Sequence, residues 1–308
     1  LKNPSLRQEI EQIMEDGPGM SQGAIARQVG VSSTTISRWL KDDYAGNVEE
    51  VERKIVAWLR SYRQRRPENF GIPTAPGWVE TPTGAKIIST LEYAQIASDV
   101  VIIYGGAGVG KTKSIQHFVA TRPSVWCVTG CPAAEGVVPA LEAVAEALDI
   151  PLANGAARLH RDIVRKMTGT YGLLIVDEAQ NLNTKALDEM RSLHDATGVG
   201  LALVGNESVY SSMTGGSRAP YLDRLFSRIG MKLRLEKATK DDVDAVISGW
   251  EVDLKTCRKT LREIAMRPGG LRTLTKVMRL ATMYSVGENR KVTCSDIHAA
   301  WEELGGAA

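Results

Sequence analysis

Cysteine is scarce in this sequence. Four cysteines in 308 residues are too few and too scattered for a disulfide framework: Cys127, Cys131, Cys257 and Cys294. Cys127 and Cys131 have no second close pair of Cys or His, which argues against a structural zinc site. We therefore predict reduced, mostly buried thiols, as in a cytosolic protein.

The sequence also lacks a long hydrophobic run and an excess of one charge. No apolar stretch reaches the roughly 18 residues of a membrane helix. The formal net charge of +2 argues against a strongly basic nucleic-acid binder, so any DNA contact must come from local patches. Leu1–Asp16 is charged and amphipathic, unlike a signal peptide, and we expect a cytoplasmic protein.

Two changes in composition divide the chain. Residues 67–84 are rich in proline and glycine without hydrophobic periodicity, which indicates a linker. After a strand-like run at Met231–Leu235, the pattern is helical to the end. We therefore predict an N-terminal domain at 1–66, an α/β core at 85–235 and an all-helical C-terminal domain at 236–308.

The N-terminal domain contains a helix-turn-helix pattern. Apolar residues at helical spacing flank Gly30, which tolerates the positive φ of a tight turn. Ser21 and either Ser32 or Ser33 are suitable N-caps for the two helices. Because the second helix of such motifs enters the major groove by its amino end, we expect DNA contact there.

Short hydroxyls and one arginine dominate that amino end. Hydroxyls contact phosphates well but discriminate bases poorly, which predicts weak sequence preference. The candidate DNA contacts are Ser33, Thr34, Thr35, Ser37 and Arg38. A three-helix module that docks on protein is the alternative interpretation.

A buried-strand pattern at Asp99–Tyr104 leads directly into a complete P-loop. The motif Gly-x-x-x-x-Gly-Lys-Ser/Thr spans residues 105–112 and precedes a helix-compatible run. Backbone amides and the helix N-terminus favour phosphate there. We expect Lys111 to contact the β- and γ-phosphates of ATP and Thr112 to ligate Mg²⁺. The predicted nucleotide site comprises Gly105, Gly106, Ala107, Gly108, Val109, Gly110, Lys111 and Thr112.

A second strand ends in two carboxylates. Leu173–Asp177 is apolar up to its last residue, and Glu178 follows. Side chains at the carboxyl ends of parallel strands meet at the ligand-binding edge of the sheet. This pattern predicts a Walker B motif in which Asp177 holds the Mg²⁺ shell and Glu178 polarises the attacking water.

Three further elements follow in the order typical of AAA+ ATPases. The strand Gly200–Gly205 ends at Asn206, the position of the sensor 1 residue. AAA+ ATPases place an arginine finger, which contacts the ATP of a neighbouring subunit, just before the fifth strand. Arg228 is our first candidate for this arginine and Arg224 the second. The alternative is that either arginine lies on a solvated helix face. Arg272, after Pro268-Gly-Gly-Leu, matches sensor 2 of the helical lid.

The assembled chain resembles the Mu B family of phage transposition proteins. The resemblance covers nearly all 308 residues. It is most specific at Val209–Arg218, which contains Tyr-Ser-Ser-Met-Thr-Gly-Gly and is not part of general AAA+ chemistry. The other matching segments are Trp78–Thr81, Thr83–Ile87, Leu173–Asp177, Leu203–Asn206 and Arg224–Ile229.

The resemblance implies a function in transposition. Such a protein binds double-stranded DNA with ATP and little sequence preference, and it polymerises into a helical filament. It then delivers this target DNA to a transposase and stimulates the transposase. ATP hydrolysis, provoked by the transposase, removes the protein from DNA near the transposable element's own ends. The resemblance also places the protein in the cytoplasm of a bacterial host.

One segment departs from the family pattern, which is richly basic before Walker B. Ala153–Arg158 carries little charge here. Four basic residues follow at helical spacing: Arg158, Arg161, Arg165 and Lys166. They form either a DNA contact or a solvated helix face.

Two other functions share parts of this architecture. A helicase loader has the same ATPase core, and a transcription regulator could use ATP as a switch. An effector-binding or activation domain would favour the regulator, and the 308 residues leave little room for one.

Overall fold

The computed structural model describes most of the chain in two compact units. The described residues are 4–16, 21–65, 75–152, 155–214, 219–250, 255–288 and 290–306. The units are Leu1–Pro73 and Thr74–Ala308. Residues 67–74 of the predicted linker, residues 153–154 and residues 215–218 of the Mu B-like stretch lie outside the described residues.

The described part of the first unit is helical. Its helices are α1 (Pro4–Asp16), α2 (Gln22–Val29), α3 (Ser33–Leu40) and α4 (Val48–Arg65). The Ser21 and Ser32 hydroxyls cap α2 and α3 by accepting from backbone amides at 3.3 and 3.0 Å. Gly30 ends α2 at φ 75°, the left-handed conformation that favours glycine. Fully buried Ile25, Ile36 and Trp39 pack these helices around a common core.

A parallel five-stranded sheet organises the second unit. The strands are β1 (Val100–Gly105), β2 (Val125–Thr129), β3 (Leu173–Asp177), β4 (Gly200–Gly205) and β5 (Ile229–Leu235), in the order β2-β3-β4-β1-β5. Sequence analysis does not predict β2. This edge strand is only half-buried at its centre, whereas β1, β3 and β4 are buried throughout.

Helices cover both faces of the sheet. Side chains of successive strand residues point to opposite faces, so the strands contribute to two separate cores. One core contains α5 (Pro82–Ala97) and α6 (Lys111–Thr121) with strand residues such as Val101 and Ile103. The other contains α7 (Val137–Ala147), α8 (Ala156–Met167) and α9 (Thr184–Thr197). The helices α10 (Glu207–Thr214) and α11 (Ala219–Phe226) follow β4.

Helix α5 begins inside the segment that composition marked as linker. Thr81 caps it by accepting from the Gly84 amide at 3.0 Å, and Pro82 occupies its first turn. Proline suits this position because its missing N–H would have no partner there. Thr83 and Gly84 are buried, so residues 82–84 belong to the ATPase unit.

The C-terminal part forms a small helical domain, as predicted. Its helices are α12 (Lys240–Ser248), α13 (Arg258–Met266), α14 (Gly270–Gly287) and α15 (Cys294–Glu303). They share an apolar core that includes Val243, Leu261 and Leu274. The carboxylate of fully buried Asp242 joins α12 to α5, accepting from the Thr83 amide at 2.8 Å and the Thr83 hydroxyl at 2.6 Å.

The expectation of four reduced thiols is wrong. Cys257 and Cys294 form a disulfide whose Cα atoms are 5.4 Å apart, although 37 positions separate them. The turn before α13 packs against the start of α15, and this tertiary contact brings the sulfurs together. Cys127 is half-buried, and burial raises the pKa of its thiol to about 11, whereas Cys131 is exposed.

Across the described ranges, the helices are either too short or too polar to cross a membrane.

Candidate nucleotide site

Glycines allow the P-loop to lie against neighbouring backbone. Gly105 ends β1 at φ 133°, and a Cβ there would lie 1.8 Å from the Leu235 carbonyl oxygen. Gly108 has φ 74°, and its Cβ would lie 1.9 Å from the carbonyl oxygen of Gly269. Both positions therefore require glycine, because a side chain would collide with main chain that cannot move away. Ala107 is exposed, and Val109 is buried in the core beneath the loop.

Lys111 opens α6 and folds back over the loop. Its Nζ donates to the carbonyl oxygens of Gly105 and Gly106 at 2.9 and 2.7 Å. Burial lowers the pKa of Lys111, while the carboxylates of Glu178 and Asp177 act in the opposite direction. Gly110 caps α6 without a side-chain acceptor, which leaves the helix amide end suited to phosphate.

The two predicted Mg²⁺ ligands are in contact. The Thr112 hydroxyl donates to Asp177 Oδ2 at 2.9 Å across 65 positions of sequence. Asp177 is buried at the end of β3, and this burial raises the pKa of its carboxyl group. The structure thus brings P-loop and Walker B together at one edge of the sheet, as the motifs predict.

Glu178 follows Asp177 in a strained backbone conformation. Its φ and ψ are 52° and 38°, the left-handed region that non-glycine residues rarely adopt. Gly130, after β2, touches this turn: a Cβ at Gly130 would lie 2.5 Å from the Glu178 carbonyl oxygen. Residues held in such conformations cluster at functional sites, because the surrounding structure must stabilise them.

Gln180 connects the Walker B turn to the end of β4. Its Nε2 donates to Glu178 Oε2, and its Oε1 accepts from the backbone N–H of Asn206 at 3.3 Å. Asn206, the predicted sensor 1 residue, is therefore linked to the Glu178 carboxylate through the Gln180 side chain. However, its Oδ1 already accepts from the Ser208 amide at 2.8 Å, so only its amide nitrogen remains for a ligand.

The helical domain reaches the P-loop through the start of α14. The Leu271 N–H donates to the Gly108 carbonyl oxygen at 2.9 Å. Arg272 is the next residue, exposed, and its positive charge contributes to the lowered pKa of Lys111. The structure therefore places the predicted sensor 2 arginine beside the P-loop.

Arg228 lies far from this edge. It precedes β5, and the register pairs Ile229 with Val100 and Leu235 with Gly105. At about 3.3 Å per residue, Arg228 lies roughly 20 Å from the P-loop end of the sheet, because it precedes the residue that pairs with Val100. Its Nε donates to Asp195 Oδ1 at 2.9 Å, and Arg224 lies exposed in α11.

The candidate DNA-binding residues lie on exposed helix faces. In α8, Leu159 and Ile163 point into the core, while Arg158, Arg161 and Arg165 are exposed. Asp162 pairs with Arg165 at 2.5 Å and reduces the local positive charge. In α3, Ser33, Thr34 and Arg38 are exposed, and Thr35 and Ser37 are half-buried.

Sequence analysis missed Gln180, Asp195 and Asp242. Gln180 stands two residues after Glu178, and that proximity was the only signal available. Asp195 and Asp242 lie in amphipathic helices, where an acidic residue usually faces solvent. Their partners become visible only in the folded chain.

Two protein-family models match the chain. An AAA domain model matches residues 97–213, which include the P-loop and Walker B. A model described as Mu B transposition protein, C terminal, matches residues 227–304. The second match covers β5 and the helical domain, which follow the P-loop and Walker B in the chain.

Relatives of similar length match almost the whole chain. The ATP-dependent target DNA activator B of Escherichia phage Mu is 35% identical over 283 residues, or 91% of this chain and 89% of the relative. The Mu-like prophage FluMu DNA transposition protein B of Haemophilus influenzae is 38% identical over 277 residues, or 88% of this chain and 94% of the relative. On this fold, site and similarity, the chain belongs to the Mu B family of phage DNA transposition proteins.

Proposed function

We propose that this chain is an ATPase that binds duplex DNA with little sequence preference, assembles on it into a filament, and delivers it to a transposase in the cytoplasm of a bacterial host. The observation that carries the proposal is the contact between Thr112 and Asp177, which joins a complete P-loop to Walker B. The names of two relatives, target DNA activators that depend on ATP, support the same role.

The chain's own residues account for ATP binding and hydrolysis. The P-loop amides and Lys111 bind the phosphates, and ATP must replace the Gly105 and Gly106 carbonyls as partners of the Lys111 ammonium. Glu178 orients and polarises the attacking water. Asn206, after β4, and Arg272, at the start of α14, supply polar contacts to the reacting phosphate.

The residues present fit Mg²⁺. Thr112 and Asp177 would hold it, because a hydroxyl and a carboxylate are the oxygen donors that this ion prefers. When bound to these residues, Mg²⁺ would supply positive charge that offsets the charge of the phosphates.

Assembly supplies the remaining catalytic cation. Arg228 begins at the amino ends of the strands, so a P-loop on the same subunit is out of its reach. We therefore assign Arg228 to a neighbouring subunit's ATP, with Arg224 as the second choice. Hydrolysis then depends on subunits aligned by DNA or by the transposase.

DNA binding relies on repetition of weak contacts. The exposed arginines of α8 and the hydroxyl-rich start of α3 offer phosphate contacts in each subunit. A net charge of +2 makes these contacts weak in a monomer, and a filament multiplies them. A helicase loader or an ATP-switched regulator would bind DNA differently, at a replication fork or at a defined operator.

Electron microscopy of the protein on random duplex DNA tests this function. We expect continuous filaments with ATP, and bare DNA with ADP or without nucleotide. Footprinting provides the second arm, in which protection should extend along any sequence. One discrete protected palindrome that is independent of ATP would contradict the proposal and favour the regulator.

A further inference from the structure

The backbone of Glu178 is held from one side by the turn after β2. Gly130 N–H donates to the Asp177 carbonyl oxygen at 2.8 Å, and Asn181 Nδ2 donates to the Gly130 carbonyl oxygen at 3.0 Å. These contacts stabilise the left-handed backbone at Glu178. They leave the torsions of the Glu178 side chain unrestrained.

The amide of Gln180 supplies the missing restraint. Both ends of this amide are engaged, since Nε2 donates to the Glu178 carboxylate and Oε1 accepts from the Asn206 N–H. A carboxylate only accepts and a backbone N–H only donates, so the two partners determine which way the amide faces. Gln180 is half-buried, which limits competition from water.

A glycine makes room for this bridge. A Cβ at Gly205 would lie 2.2 Å from Gln180 Oε1, closer than any real contact. Gly205 is the last residue of β4, and Asn206 follows it. The absence of a side chain at Gly205 therefore leaves space for the Gln180 side chain at the end of β4. The hydrogen bonds of Gln180 then link this end of β4 to the Glu178 carboxylate.

We propose that Gln180 is the positioning residue for the Walker B carboxylate, coupling the direction of Glu178 to the end of β4. The assignment rests on the proposed ATP hydrolysis, in which Glu178 orients the attacking water. A general base is effective only when its oxygen lies within hydrogen-bond reach of the water. The contact from Gln180 keeps the carboxylate in one orientation before the reaction begins.

Two substitutions distinguish two roles of Gln180, namely positioning of the Glu178 carboxylate and support of the end of β4. Gln180→Ala removes both hydrogen bonds. Gln180→Glu keeps an oxygen that can accept from Asn206 but replaces the donor facing Glu178 by a negative charge. We expect both variants to lower kcat for DNA-stimulated ATP hydrolysis by about tenfold or more, with KM and ATP affinity unchanged.

Controls make the outcomes distinct. Gln95→Ala removes a glutamine of α5 whose amide donates to the Pro123 carbonyl oxygen, and this variant should hydrolyse ATP at the parent rate. Parent activity in Gln180→Glu would overturn the proposal and reduce Gln180 to a brace of β4, and parent activity in Gln180→Ala would overturn it outright. Hydrolysis by Glu178→Gln at the parent rate would contradict the role assigned to the Glu178 carboxylate, and absence of hydrolysis by the parent would contradict the proposed ATPase function itself.

Discussion

Arg228 pairs with Asp195, its Nε lying 2.9 Å from Oδ1 of a carboxylate 33 positions earlier in the chain. Arg191 also contacts Asp195, and these cations lower its pKa although partial burial acts in the opposite direction. The Arg228 and Asp195 side chains are 48% and 31% exposed, so the pair adds at most about 1 kcal/mol to stability. The proposed action of Arg228 on a neighbouring subunit's ATP would therefore break this ion pair at little cost.

The first prediction distinguishes the ion pair between Arg228 and Asp195 from the proposed action of Arg228 on a neighbouring subunit's ATP. Arg228→Ala and Asp195→Asn both remove the ion pair, but only Arg228→Ala removes the cation. We expect Arg228→Ala to lose DNA-stimulated turnover by about 10³-fold while it retains ATP binding, and Asp195→Asn to keep most of the stimulation. Equal losses in the two variants would show that the ion pair itself is what matters. Full turnover by Arg228→Ala would point to Arg224.

Mixing subunits tests the direction of the arginine. Arg228→Ala subunits keep an intact Glu178, and Glu178→Gln subunits keep an intact Arg228. Mixed assemblies should therefore recover part of the hydrolysis that each variant lacks alone, measured as phosphate release at constant total protein. An arginine acting within its own subunit would give no recovery.

The second prediction concerns binding and chemistry at the P-loop. Lys111→Ala should abolish ATP binding because the phosphates lose their cation, and Glu178→Gln should bind ATP normally without hydrolysing it. Titration with a fluorescent ATP analogue measures the first effect, and phosphate release measures the second. Lys113→Ala, an exposed lysine on the same helix, is the control and should behave as the parent.

The third prediction concerns buried Asp242. Burial alone would raise the pKa of this carboxyl group, but hydrogen bonds from Thr83 and Thr239 hold it below its ordinary value. Asp242→Ala leaves these donors without an acceptor and should cost about 2–4 kcal/mol in the free energy of unfolding. Asp241→Ala, at the exposed neighbouring position, should change it by less than about 0.5 kcal/mol.

The pH dependence of unfolding in the same variants tests whether folding lowers the pKa of Asp242. A lowered pKa in the folded state means that Asp242 stabilises the protein fully above about pH 4, and that this contribution is lost as pH falls through the folded pKa. The stability difference between the parent and Asp242→Ala, measured by urea unfolding, should therefore shrink below about pH 4. A difference that grows on acidification would contradict the assignment.

The fourth prediction concerns the disulfide between Cys257 and Cys294. Closing a loop across 37 positions stabilises the helical domain by up to about 4 kcal/mol through the entropy of the unfolded chain. The parent should melt at a lower temperature after reduction, whereas Cys294→Ser should melt low with or without reductant. Cys131→Ser, at an exposed free thiol, should keep the parent's response to reductant.

The fifth prediction concerns the arginines of α8. Replacing Arg158, Arg161 and Arg165 together by alanine should weaken DNA binding at every sequence and flatten its salt dependence. The slope of log affinity against log salt should fall by about 0.9 for each phosphate that the variant no longer neutralises. Arg279→Ala, an exposed arginine on α14, is the control. An unchanged slope would assign α8 to a solvated face.

Deleting residues 1–66 tests the other candidate DNA surface. Because α3 offers mainly hydroxyls, we expect the deletion to weaken binding without changing where the protein lands on DNA. Footprints of the two proteins on one long fragment make the comparison. A shift from one defined site to general coverage would assign base recognition to α3.

The sequence by itself determined the P-loop and Walker B motifs of the candidate nucleotide site, and the fold class. Lys111, Thr112 and Asp177 sit in motifs that are defined by local backbone structure: a glycine-rich turn, a helix start and the end of an apolar strand. These features can be predicted from the sequence because residues that are close in sequence suffice to form them. For the same reason, the caps of α2 and α3 and the turn at Gly30 follow from a few adjacent residues.

Only the tertiary structure decided which distant side chains meet. Thr83 and Asp242 are 159 positions apart, Arg228 and Asp195 are 33, and Cys257 and Cys294 are 37. No spacing rule predicts such pairs, because they depend on how whole helices pack against the sheet and against one another. The bridge from Glu178 through Gln180 to Asn206 has the same origin: two of its residues are neighbours, but the pairing of β3 with β4 brings the third to them.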